Sequence, residues 1–129
     1  RRHYQANRQS KLTEAASTDL RGSIDRALSD LGIPSHLLGY DYLQTAIDLV
    51  VRQPEAAYAV TGCVYPGVAM QYGTTAQLVE RAIRHAVESG WSRCDEAMRA
   101  MYFGGKIRSA RQKPTNAEFI ARIANLVRM

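Results

Sequence analysis

The chain has 129 residues, 46% of them hydrophobic and 22% charged, with a net charge of +5. That is the composition of one folded domain with its own core, and it excludes disordered and collagen-like chains. No apolar run reaches the roughly 20 residues of a membrane span, so no membrane association is expected. No signal peptide is visible. The first residue is Arg1 rather than Met, as in a segment cut from a longer protein. Cys63 and Cys94 lack CxxC spacing and read as ordinary thiols in a reduced, cytoplasmic setting.

Residues 1–17 are polar and weakly periodic, which predicts a linker or disordered segment ahead of one domain over 18–129. A first helix is expected over 18–31, burying Leu20, Ile24, Ala27, Leu28 and Leu31, with Gly32 as its stop and Pro34 beyond. A second is expected over 38–52, with Leu43, Ala46, Ile47, Val50 and Val51 inward and Tyr40 and Tyr42 as wall residues. A third helical region over 55–72 should kink or break at Pro66, because proline cannot donate the helical hydrogen bond. A fourth helix follows over 75–93, with Trp91 as a core anchor. Asp95 can cap a fifth, ending near Phe103, with Met98, Met101 and Tyr102 as its apolar contacts. The last begins at Pro114 and Thr115. Thr115 and Glu118 have capping-box spacing, and Phe119, Ile123, Leu126 and Val127 form its stripe. Ile120 and Ala124 flank that stripe and suggest a second apolar side able to join two domains. No segment alternates with period two, so the fold class is all-α, with about six helices.

The stretch 65–93 carries the functional signal. Val68, Ala69 and Tyr72 are inner positions of a short helix, Gly73 is a turn residue, and Thr74 with Gln77 has the spacing of a capping box. Val79, Ala82, Ile83, Ala86 and Val87 make one apolar face, while Gln77, Arg81, Arg84 and Glu88 lie opposite. Ala69, Gly73 and Val79 meet the helix-turn-helix pattern of a small residue, a glycine four later and an aliphatic six after that. A helix that buries one side and offers Gln and two Arg from its first turns fits a DNA major groove.

Charge is local. Residues 1–11 and 104–114 hold eight of the 17 basic residues and no acid; the rest has nine basic against twelve acidic. The first stretch reads as a frayed tail. The second, with Lys106, Arg108 and Lys113, follows the candidate recognition helix and reads as a phosphate-contacting loop.

The runs VERAIRHA (79–86), WSR (91–93) and KPTN (113–116), with Glu118, Phe119, Gly39, Tyr40, Tyr42 and Leu43, resemble the C-terminal effector domain of the stage-zero sporulation master regulator, protein A. That family comprises response-regulator transcription factors of endospore-forming bacteria, and the resemblance covers about residues 19–128. It implies an all-helical domain that regulates transcription by binding double-stranded DNA at short repeated sites. It also implies a homodimer on tandem sites and contact with a sigma subunit of RNA polymerase. Glu80, Arg81, Arg84 and His85 match the family's recognition helix, whereas Gln77-Leu78 stands where the family usually has Ser-Arg. Leu78 cannot read a guanine as that Arg would, although Gln77 can pair with adenine. The stretch 94–105 also departs from a more Ser-rich family sequence. The family's N-terminal phosphoacceptor receiver domain is not among these residues.

The expected DNA-binding residues are therefore Thr75, Gln77, Leu78, Glu80, Arg81, Arg84, His85, Lys106, Arg108 and Lys113. No cofactor, metal or catalytic residue is expected. His3, His36 and His85 lack ligand spacing, and no Gly-rich phosphate loop, GxSxG or Cys-His motif is present. The alternative is a helical protein–protein interaction module that does not bind DNA.

Overall fold

The computed structural model describes residues 19–104 and 112–129. Residues 19–30 form α1. Then come α2 (Leu38–Arg52), a 3-10 turn (Pro54–Tyr58), a π-helical turn (Val60–Val64), α3 (Tyr65–Tyr72), α4 (Ala76–Arg93), α5 (Glu96–Phe103) and α6 (Asn116–Arg128). All the regular structure among the described residues is helical, as the apolar periodicity requires. None of these helices is long and apolar enough to cross a membrane.

The expected helix over 55–72 divides at Pro66, and its first half is not α-helical. Pro66 has no amide proton for the carbonyl four residues back. The preceding turn widens instead: the amides of Val64 and Tyr65 donate to Ala59 and Val60, each five residues earlier. Only after this adjustment does regular α-geometry start.

α2 is the central helix and packs against both α4 and α6. Its Leu43, Ala46, Ile47 and Val50 are buried, as are Val79, Ile83, Ala86 and Val87 of α4. Burial of each of the larger aliphatic side chains contributes on the order of 1.5–3 kcal/mol. The two helices meet closely at Gly39, where a Cβ would run into the carbonyl oxygen of Ala82 and the Cβ of Ala86. At the other end of α4, Gly90 lies under the loop between α1 and α2, and a Cβ there would meet Ile33. Gly32, at φ 75°, reverses that loop by turning its own amide back to Ser29 and placing that of Ile33 on Leu28.

Aromatic and polar contacts tie on the remaining helices. Trp91, Phe103 and Phe119 make a chain across α4, α5 and α6, with ring centroids 5.1 and 6.0 Å apart. Tyr72 at the end of α3 packs edge-on against Tyr42 and shares a 2.9 Å hydrogen bond with Thr45 of α2. Asp25 of α1 accepts from Tyr40 and Gln44 of α2. Burial, and next the Asp25 carboxylate, push the Tyr40 hydroxyl up to about 12.

Two expectations fail here. Met101 is 64% exposed rather than packed, because α5 buries no residue fully and turns that side outward. Ile120 and Ala124 are fully buried, so α6 has no second apolar side of that kind; α2 and α4 both press on the helix and consume it.

Gly39→Ala should lower stability by about 1–3 kcal/mol, since backbone must move to admit the methyl. Gly22→Ala, in exposed helix with nothing within 4 Å, should raise it by about 0.5–1 kcal/mol. Urea unfolding of the two variants measures both; equal effects would remove the close α2–α4 approach as a constraint.

Candidate nucleic-acid interface

α3 and α4 are joined at Gly73, whose φ of 67° is left-handed. The amides of Gly73 and Thr74 both turn back to the carbonyl of Ala69. Ala69 and Val79 are buried on either side, so all three positions of the spacing pattern occupy their expected places. Thr74 is used by the turn, however, and does not cap the next helix. The cap is Thr75, in extended conformation, whose hydroxyl accepts from the Leu78 amide at 3.2 Å. With Leu78 at the third position there is no reciprocal side chain, so the expected Thr74–Gln77 capping box does not form.

Beyond the cap, α4 presents two outward stripes. Gln77, Arg81 and His85 are exposed one turn apart, directly opposite the buried stripe, and Leu78 beside them is 50% exposed. Arg81 makes no ion pair among the described residues. The second stripe is Glu80, Arg84 and Glu88, and it is occupied. Arg84 pairs with Glu80 at 3.2 Å, and Lys113 reaches Glu88 at 3.2 Å. Three residues further on, the Asn116 amide donates to the backbone carbonyl of Glu80 at 3.2 Å and to the Tyr65 hydroxyl at 3.1 Å. Residues 113–116 thus run back along α4, from Glu88 to Glu80.

That strap is held from both sides. Pro114 is buried, and Thr115 and Glu118 form the capping box the sequence predicts, with bonds of 3.1 and 3.0 Å. Burial raises the Tyr65 hydroxyl above its ordinary value, and the Asn116 hydrogen bond opposes that shift.

The far end of α4 is closed by Arg99 of α5. Its guanidinium donates to the carbonyls of Trp91 and Cys94 at 3.0 and 2.6 Å and lies over the Trp91 ring. A cation there satisfies carbonyls that have no helical partner and complements the negative end of the helix.

The structure therefore gathers Thr75, Gln77, Leu78, Arg81, Arg84 and His85 on one side, with Lys113 alongside. Glu80 belongs to the same helix but is engaged with Arg84 and Asn116. Lys106 and Arg108 lie outside the described residues. Sequence reasoning did not assign Asn116, Tyr65 or Glu88 to the site. The KPTN run contained Asn116, but nothing in one dimension shows which carbonyl its amide meets.

The model of the family described as sporulation initiation factor Spo0A, C terminal, matches residues 24–127. The chain belongs to that family. It is accordingly the DNA-binding domain of a transcription regulator of sporulation, and not an enzyme. The Spo0A C-terminal family binds double-stranded DNA, and the match runs from within α1 to the last turn of α6.

Thr75→Ala should cost about 0.5–2 kcal/mol, because the Leu78 amide loses its acceptor. Thr74→Ala should cost less. Thermal unfolding of both variants decides which threonine is the cap.

Proposed function

We propose that this domain binds double-stranded DNA sequence-specifically, with α4 in the major groove. The observation that carries this reading is the unobstructed stripe Gln77, Arg81 and His85, set opposite a fully buried one. Arg81 is the central base reader, since an exposed guanidinium with no ion-pair partner among the described residues keeps its donors for guanine O6 and N7. Gln77 addresses adenine, and Leu78 meets a thymine methyl. Thr75 at the helix N-terminus, Arg84, Lys113, Lys106 and Arg108 contact phosphates, where they position the helix without reading sequence. Arg84 and Lys113 exchange the Glu80 and Glu88 carboxylates for phosphate oxygens.

Two copies occupy tandem sites as a homodimer, and the bound domain contacts a sigma subunit of RNA polymerase; the family membership supports both. A reduced, cytoplasmic setting suits Cys63 and Cys94, neither of which is in a disulfide.

Roughly 5–8 phosphate contacts would give a log–log salt slope of about −4 to −7. Titration of labelled duplex at several salt concentrations measures it, and a flat response would favour a protein-interaction module instead. Arg81→Ala should cost about 1–3 kcal/mol at the best site and relax preference at one base pair. Leu78→Arg should shift preference towards guanine at its contact. Competition among single-base site variants tests both; a uniform loss with Arg81→Ala would reassign that residue to the backbone.

A further inference from the structure

The two helices of the helix-turn-helix are covalently joined at one end only, by the turn at 73–75. Tyr65 stands at the opposite end of α3, and it is there that a single side chain from outside the motif connects α3 to α4. Asn116 has two amide protons, and both are used: one on the Tyr65 hydroxyl at 3.1 Å, one on the Glu80 carbonyl at 3.2 Å. Tyr65 is 6% exposed, and both bonds are partly buried. The Glu80 carbonyl lies in the second turn of α4, one residue before Arg81. Asn116 is itself immobilised, as the first residue of α6 behind the Thr115–Glu118 capping box and the buried Pro114.

We propose that Asn116 is a positioning residue for base reading: it fixes the angle between α3 and α4 and so the placement of Gln77 and Arg81 against base edges. This rests on the reading of α4 as the recognition helix and adds a residue that touches no DNA. In a helix-turn-helix the first helix crosses the backbone while the second reaches the bases. The angle between them therefore couples phosphate register to base register. Long lysine and arginine stems tolerate a small change of angle when they meet phosphate, whereas a bidentate pair with one base edge does not. Loss of Asn116 should thus reduce discrimination and leave electrostatic binding intact. Packing of Val68, Ala69 and Val79 keeps the motif folded without it.

The test uses the full 129-residue chain, a duplex selected by the wild type from a random pool, its single-base variants and a random-sequence duplex. Asn116→Ala should lower the ratio of selected-site to variant-site affinity about three- to tenfold, the range that the net worth of an ordinary hydrogen bond corresponds to. Tyr65→Phe removes only the hydroxyl and should lower the ratio less. Both variants should keep the wild-type affinity for random duplex and the wild-type salt slope. A purely structural role would reduce the folded fraction and weaken all duplexes by one factor, and that outcome overturns the proposal. So does an unchanged ratio in both variants. If Asn116→Ala does not fold, Tyr65→Phe alone decides. If the wild type shows no preference among duplexes, the base-reading function fails and this inference falls with it.

Discussion

The close approach of α4 to α2 sets the position of everything on the outer side of α4. Gly39 removes the one side chain that would hold the helices apart, and Ala82 and Ala86 are small enough to fill the space it leaves. With that contact made, Val79, Ile83, Ala86 and Val87 are buried together and α4 has no freedom to roll. Rotation by one residue, about 100°, would bury polar side chains at a cost of several kcal/mol. The direction of Arg81 is consequently a property of the core.

Three of the 17 basic residues are tied to backbone carbonyls at helix ends. Arg99 closes the end of α4. Arg122 donates to the Tyr102 carbonyl at the end of α5, and Arg128 reaches the Val50 carbonyl near the end of α2. Each meets backbone acceptors that a helix end leaves unpaired, so these three guanidiniums hold the bundle together. The arginines that face outward on α4 form a separate group, and one of them, Arg84, is already paired. Net charge counts both groups alike. Position decides which can meet a phosphate.

The strap at 113–116 gives α4 a second boundary. Lys113 and Asn116 lie along the Glu80–Glu88 side and leave the Gln77–His85 side open. The same strap carries the cap of α6, so the last helix and the outer surface of α4 are adjusted together. Tyr65 completes this corner from the α3 side, with Asn116 between. A chain segment that looks like a basic loop followed by a cap thus serves as a brace.

Helix number, the place of the turn at Gly73, the caps at Asp95 and Thr115, and the buried stripes of α2 and α4 were legible in the sequence. Each is set by short-range periodicity and by the special chemistry of glycine, proline and capping side chains. Gln77, Arg81, Arg84 and Glu88 could be placed on the outer face for the same reason, since a residue opposite a buried stripe must point away from it, whereas His85 entered through the family resemblance. What lay beyond the sequence is which of several available partners a group meets, and most of those partners are distant along the chain. Thr75 rather than Thr74 caps α4 because Ala69 captures the Thr74 amide. Ile120 and Ala124 are buried because α2 and α4 close over them. Lys113 and Asn116 acquire their roles from acceptors 25 and 36 residues away. Local pattern determines which way a side chain leaves its own helix; only the packing of helices against one another determines what it meets there.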